Sequence, residues 1–177
     1  MFFHFNDLDE ITDNLYLGNL ASAENIDELK KKGIKKVLSV LDSFAWPKYK
    51  ESDNINHKTI SISDLENQNI LKYFRECLNF IKGNDKILVH CAVGASRSAS
   101  FVIAYIMWTK KMKYNEAFEF VREKRNIICP NFGFVDQLHL FEKELIEKNY
   151  DINKIKFKEI KWESKDYYAE KINEMLK

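Results

Sequence analysis

One run constrains this chain more than any other: Ile87-Leu88-Val89-His90-Cys91-Ala92-Val93-Gly94-Ala95-Ser96-Arg97-Ser98. A short apolar stretch leads into five small residues bracketed by a cysteine and an arginine, and a second apolar stretch follows. A β-branched run of this length belongs to a parallel strand covered on both faces. The small residues turn the chain, and residues 98–110 then read as a helix. A strand that turns sharply into a helix is half of a strand–helix–strand unit, which holds the chain to an α/β architecture.

The remaining segments agree. Residues 11–17 read as a first strand closed by Gly18. Ser22 reads as the cap of a helix that runs to Lys32, with Gly33 as its stop. Residues 36–41 form a buried strand and residues 57–62 another. Ile70, Phe74, Leu78 and Ile81 share one face of a helix over residues 69–82. Residues 114–125 and 134–148 give two more helices. The expected fold is α/β, with a central, mostly parallel twisted sheet of about five strands flanked by helices. One domain spans residues 1–148. In the extension 149–177, Ile155, Phe157, Ile160 and Trp162 suit an added strand or an irregular wrap. Tyr168, Ile172 and Met175 fit one face of a last helix. The extension is expected to pack on the domain, the other reading being a surface that docks a partner.

Composition removes several classes of function. The chain has 177 residues, 45% of them apolar, and a formal net charge of +1. Such a balance gives no field that would draw nucleic acid or an anionic membrane. Cys77, Cys91 and Cys129 are odd in number and contain no Cys-x-x-Cys pair, so neither a disulfide framework nor a zinc site is expected. The four histidines, at 4, 57, 90 and 139, lack ligand spacing, so no metal is expected. The N-terminus shows neither a secretory signal nor a myristoylation glycine. The apolar run 99–108 is too short to span a bilayer. A soluble protein of a reducing compartment is expected, in the cytoplasm and also the nucleus. Oligomeric state is not legible.

The Cys91 loop suits a phosphate. At the carboxyl end of a parallel strand, Ala92, Val93, Gly94, Ala95 and Ser96 can turn successive backbone N–H groups toward an anion. The helix that follows adds positive potential from its N-terminus. The same field favours the thiolate of a cysteine, and the thiolate is the nucleophilic form. Arg97, six positions on, can fold back over the phosphoryl group and bind two oxygens with its planar fork. The Ser98 hydroxyl is placed to donate to the sulfur of Cys91 as that sulfur leaves, and His90 to orient the loop.

Phosphoryl transfer also needs a proton for the leaving oxygen. Asp42 follows one strand and Asp64 another, and position alone does not choose between them. Asn131 suits a contact with the loop or the cap of the helix after it, with the cap preferred. Arg125 and Glu116 read as surface or inter-helix pairs, and Cys77 and Cys129 as core residues.

At this point the chain resembles the dual-specificity protein phosphatases of the cysteine-dependent phosphatase superfamily. His90 to Ser98 match the family's His-Cys-x-x-Gly-x-Ser-Arg-Ser pattern at every fixed position. Tyr16-Leu17-Gly18 looks like its early motif. Asn131, Gly133, Phe134, Gln137, Leu138, Phe141 and Glu142 look like the block after its active-site helices. The resemblance implies that Asp64 is the general acid, since Ile60-Ser61-Ile62-Ser63-Asp64 fits the family's acid strand, with Ser61 where proline is common and Ile62 where valine is. It also implies Cys91 as nucleophile, Arg97 as phosphate and transition-state ligand, and a metal-free, cofactor-free hydrolysis. The implied substrates are proteins phosphorylated on tyrosine, serine or threonine. Two alternatives keep the site and change its use: a module that only captures phosphoproteins, and a phosphatase of a non-protein phosphate such as an RNA 5′-triphosphate.

Overall fold

The computed structural model describes residues 7–42 and 46–163. Five strands form one sheet: β1 (Leu8–Thr12), β2 (Leu15–Gly18), β3 (Ile34–Leu41), β4 (Asn56–Ser61) and β5 (Lys86–His90), in the order β1-β2-β5-β3-β4. β1 runs antiparallel to β2, and the other three pairings are parallel. Six helices cover the sheet: α1 (Leu20–Glu24), α2 (Ile26–Lys32), α3 (Leu71–Ile81), α4 (Arg97–Lys110), α5 (Tyr114–Lys124) and α6 (Phe132–Glu147).

Side-chain alternation shows why both faces are covered. In β2, Leu15 and Leu17 join the larger core against α3 to α6, while Tyr16 joins a smaller core with Leu29 of α2. In β5, Ile87 and Val89 face the first core and Leu88 the second. Neighbouring residues of a strand point to opposite faces, so an unbroken apolar run needs a layer on each side.

This topology selects the site. The β2-to-β3 connection carries α1 and α2 over one face, and the β4-to-β5 connection carries α3 over the other. β5 enters between β2 and β3. Where crossovers diverge to opposite faces, a crevice opens at the carboxyl ends of the strands. Cys91 stands there, with Asp42 just past β3 and Asp64 just past β4.

Two local expectations are corrected. The single strand over residues 11–17 is a hairpin, because Asp13 and Asn14 turn the chain between β1 and β2. The helix expected from Ser22 to Lys32 is two helices. Asn19 caps α1 by accepting from the Ser22 amide at 2.9 Å, and Asn25 caps α2 by accepting from the Glu28 amide at 3.2 Å. An asparagine carbonyl at a helix start outcompetes continuation through it. Gly33 ends α2 in the left-handed region at φ 71°, as expected.

Residues beyond α6 lie back on the domain. Ile152, Ile155 and Phe157 are buried in the larger core. Arg75 of α3 donates to the carbonyls of Ile152 and Asn153 at 3.4 Å and to that of Ile155. Trp108 donates to the Tyr150 carbonyl at 3.1 Å. The expected last helix around Tyr168, Ile172 and Met175 lies outside the described residues.

Candidate active site

The sulfur of Cys91 accepts two hydrogen bonds, from the Gly94 amide at 3.2 Å and the Ser98 hydroxyl at 3.1 Å. The residue is 2% exposed.

The loop's carbonyls explain its shape. Ala92 O accepts from the Leu20 amide at 3.2 Å, and Ala95 O from the Cys129 amide at 2.8 Å. Val93 O and Gly94 O accept from Arg125, at 3.1 Å from Nη2 and 2.9 Å from Nε. Ser96 O accepts from the Ser100 amide at 2.9 Å and its hydroxyl at 2.8 Å. All five carbonyls from 92 to 96 are thus tied away from the pocket. In a trans peptide the N–H points opposite to its C=O. The amides of Val93, Gly94, Ala95, Ser96 and Arg97 are therefore turned toward the pocket as an anion nest. Gly94 sits at φ 76°, and a Cβ there would strike the Gly18 carbonyl and approach Arg125 Nη2 to 2.8 Å. Only glycine fits.

Arg97 opens α4 and is 7% exposed. Its Nη1 donates to Ile62 O at 3.1 Å and to Asp42 Oδ2 at 3.2 Å. Its Nε is buried with no hydrogen-bond partner and lies 3.8 Å from Asp64 Oδ2, which leaves a donor for an anion.

The two aspartates differ in surroundings. Asp42 accepts from the Ser63 hydroxyl at 2.5 Å and from Arg97. The Ser63 bond first, and then the Arg97 charge, hold its carboxyl below the usual carboxylate range, which suits a fixed negative charge and not a proton donor. Asp64 Oδ1 accepts from the Ser96 hydroxyl at 2.6 Å and from Asn131 Nδ2 at 2.8 Å. Asp64 therefore sits on the loop itself.

Comparisons with known proteins agree with this geometry. The family described as "Dual specificity phosphatase, catalytic domain" matches residues 15–144. The chain belongs to the dual-specificity phosphatase family. Dual specificity protein phosphatase 1B of Arabidopsis thaliana is 39% identical over 143 residues, which are 78% of this chain and 84% of that protein. Dual specificity protein phosphatase 9 of Homo sapiens is 37% identical over 77% of this chain and only 36% of its own length. The crystal structure of the human tyrosine phosphatase-like serine/threonine/tyrosine-interacting protein is 37% identical, with a TM-score of 0.74 over 78% of this chain and 97% of that one. This phosphatase thus has a protein phosphatase domain with the catalytic pair Cys91 and Arg97, in a family of metal-independent hydrolases. A phosphoprotein-binding module and an RNA 5′-triphosphatase are not favoured.

The phosphatase holds its Asp64 loop from α6. The side chain of Gln137, fully buried, accepts from the amides of Ile70 and Leu71 at 2.7 and 3.3 Å, and donates to Gln68 O and Gly133 O at 2.9 Å each. Three of its four bonds pin residues 68–71 to the helix, and the fourth stays within α6. Asn131 meets the phosphate loop only through its backbone amide, which donates to the Ser96 hydroxyl at 3.2 Å. It caps α6 through the Phe134 amide at 3.0 Å, and its side-chain nitrogen reaches Asp64.

Arg125 corrects the sequence reading. It is 2% exposed, a buried side chain and not a solvated one. It donates to Asp9 Oδ2 at 2.6 Å and braces the phosphate loop from behind. No local signal marks it, since its position at the end of an amphipathic helix looks like that of a solvated cation. Glu116 keeps a local role, accepting from the Lys113 amide at 2.9 Å to cap α5. Cys129 is exposed, not core, while Cys77 is buried as expected.

His90 orients the loop through a buried relay. Its Nδ1 lies 3.2 Å from Cys91 O, which only a donor can approach. Its Nε2 must then accept, from the Ser39 hydroxyl at 2.6 Å, and His57 Nε2 donates to the same oxygen at 2.7 Å. Burial pushes the His90 pKa down from 6.5 to about 4. An unfolded chain takes up this proton near pH 6.5 and the folded chain only near 4. The stability His90 confers is therefore complete above pH 6.5 and drains away as pH falls toward 4. Between pH 7 and 4.5 the loss is about 2–3 kcal/mol. Urea unfolding of wild type and His90→Asn at the two pH values checks it, and the variant should show that much less acid sensitivity.

Proposed function

We propose that this chain hydrolyses phosphotyrosine and phosphoserine or phosphothreonine in proteins through a cysteinyl-phosphate intermediate. The observation that carries this reading is the loop of five outward-tied carbonyls around a sulfur held by the Gly94 amide and the Ser98 hydroxyl, with the unpartnered Nε of Arg97 at the start of the helix that follows. The Cys91 thiolate attacks phosphorus in line, and the bond from phosphorus to the leaving oxygen breaks. Asp64 gives its proton to that oxygen. Water then attacks the phosphorus of the intermediate and passes a proton to Asp64. The S–P bond breaks, its electron pair returns to sulfur, and the Ser98 hydroxyl receives the growing charge. Arg97 and the amides of 93–97 hold the phosphoryl oxygens in both steps. A nucleophile that must stay reduced supports a reducing compartment, the cytoplasm and the nucleus, and a role in signalling.

The test is hydrolysis of para-nitrophenyl phosphate in EDTA, followed by phosphotyrosine, phosphoserine and phosphothreonine peptides. Asp64→Asn should lower turnover of alkyl and aryl phosphates with poor leaving groups by about 10²–10⁴-fold, and good leaving groups far less. Gly133→Ala should reproduce the pattern in weaker form. A Cβ on Gly133 would strike the Glu66 carbonyl and lie 2.7 Å from Glu66 Cα, so the Asp64 segment must move. Displacing a proton donor by about 1 Å costs roughly 10²-fold. Equal loss for good and poor leaving groups would show that Asp64 is not the proton donor.

A further inference from the structure

Among the described residues, the exposed large apolar side chains are Leu65, Val93, Phe132 and Ile146, at 55, 62, 57 and 51%. A scattered apolar residue needs no explanation, but a cluster at a ligand mouth does. Leu65 directly follows Asp64, Phe132 directly follows Asn131, and Val93 lies two residues past Cys91. The backbones that carry all three are fixed. Asn131 and Ser96 bond to the Asp64 carboxylate, Gly133 packs on the backbone of Glu66, and Arg125 holds Val93 O. These side chains are therefore presented to solvent by rigid supports around the one place where a phosphoryl group enters.

We propose that Leu65, Val93 and Phe132 form an apolar rim that binds an aromatic or aliphatic side chain next to the phosphorylated residue of a protein substrate. The inference rests on the protein-phosphatase reading above and names the substrates that this site prefers. A phosphoryl group in the loop places its own residue at the mouth, so the rim meets the neighbouring residues of the peptide. Burial of an apolar side chain against three such neighbours favours binding. The charge that follows Leu65 in the chain is Glu66, which is acidic. An acidic neighbour in the substrate meets repulsion there and no apolar gain, so discrimination has both an attractive and a repulsive element.

The experiment compares three phosphotyrosine peptides that differ only in the residues on either side of phosphotyrosine: leucine, alanine or aspartate. Wild type should show a kcat/KM about 10–100-fold higher for the leucine peptide than for the aspartate peptide, mostly through KM. Leu65→Ser combined with Phe132→Ser should compress that ratio to a few-fold. Ile146→Ser, the same change at the far end of α6, should leave the ratio as it is. Dissociation constants of the same labelled peptides from Cys91→Ser, with and without the rim changes, give a second reading that does not need turnover. Equal turnover of all three peptides by wild type, or an unchanged ratio in the rim variant, overturns the rim alone. Failure to turn over any peptide while para-nitrophenyl phosphate is hydrolysed overturns the protein-phosphatase reading, and the rim with it.

Discussion

Cys91→Ser should lose turnover of para-nitrophenyl phosphate on the order of 10⁵–10⁶-fold and keep its fold. The sulfur lies among donors, the Gly94 amide and the Ser98 hydroxyl. Those contacts suit a group that is already an anion. A serine hydroxyl in the same place needs its proton removed, and both contacts of Sγ are donors that cannot take it. The side chain shrinks only slightly, so stability should change by less than about 1 kcal/mol. Thermal unfolding checks the fold. Mass spectrometry of wild type quenched during turnover should find one phosphoryl group on the peptide that contains Cys91. Turnover retained in Cys91→Ser would remove sulfur from the chemistry.

The second large effect is expected at Arg125, which holds the phosphate loop through its carbonyls. Arg125→Met keeps most of the volume and removes the charge. It leaves Asp9 without its bond from Nη1, and Val93 O and Gly94 O without theirs. Removing the buried partner of this largely buried ion pair costs about 3–5 kcal/mol, or roughly 6–20 °C in Tm for a chain of this size. Activity should fall roughly 10²-fold as well, because freed carbonyls can swing inward and turn amides away from the phosphate. Arg125→Lys separates the two effects. Lysine keeps a charge for Asp9 but lacks the fork that holds two consecutive carbonyls. It should recover most of the stability and little of the activity. Equal recovery of both would mean that the charge, and not the bracing of the loop, sets the rate.

Arg125 also marks the limit of what a sequence shows. The neighbours that tie back the loop carbonyls come from Leu20, Arg125 and Cys129. Leu20 opens α1, while Arg125 and Cys129 share the connection between α5 and α6, and none has a residue type that its local sequence demands. Local turn chemistry is hidden for a related reason. Asp13-Asn14 and Asn25 each read as polar residues inside a periodic pattern, yet each makes a side-chain or turn bond that interrupts it. Asp42 shows the third kind of gap. Sequence position placed it level with Asp64, and only the Ser63 hydroxyl and Arg97 separate their roles.

The chemistry and the architecture that presents it are written in local residue patterns. A cysteine, five small residues and an arginine after an apolar strand dictate a phosphate loop at a sheet edge, since the spacing, the side-chain volumes and the helix that follows are all local properties. The family motif pointed to Asp64, and the periodicity of the apolar residues located four of the five strands and most of the helices. How the loop is kept in shape and where Asp64 is held depend on long-range contacts. Arg125, Gln137 and Asn131 reach the loop and the Asp64 segment from about 30 to 70 residues away. A hydrogen bond across such a distance in the chain depends on folded geometry and leaves no local pattern to read.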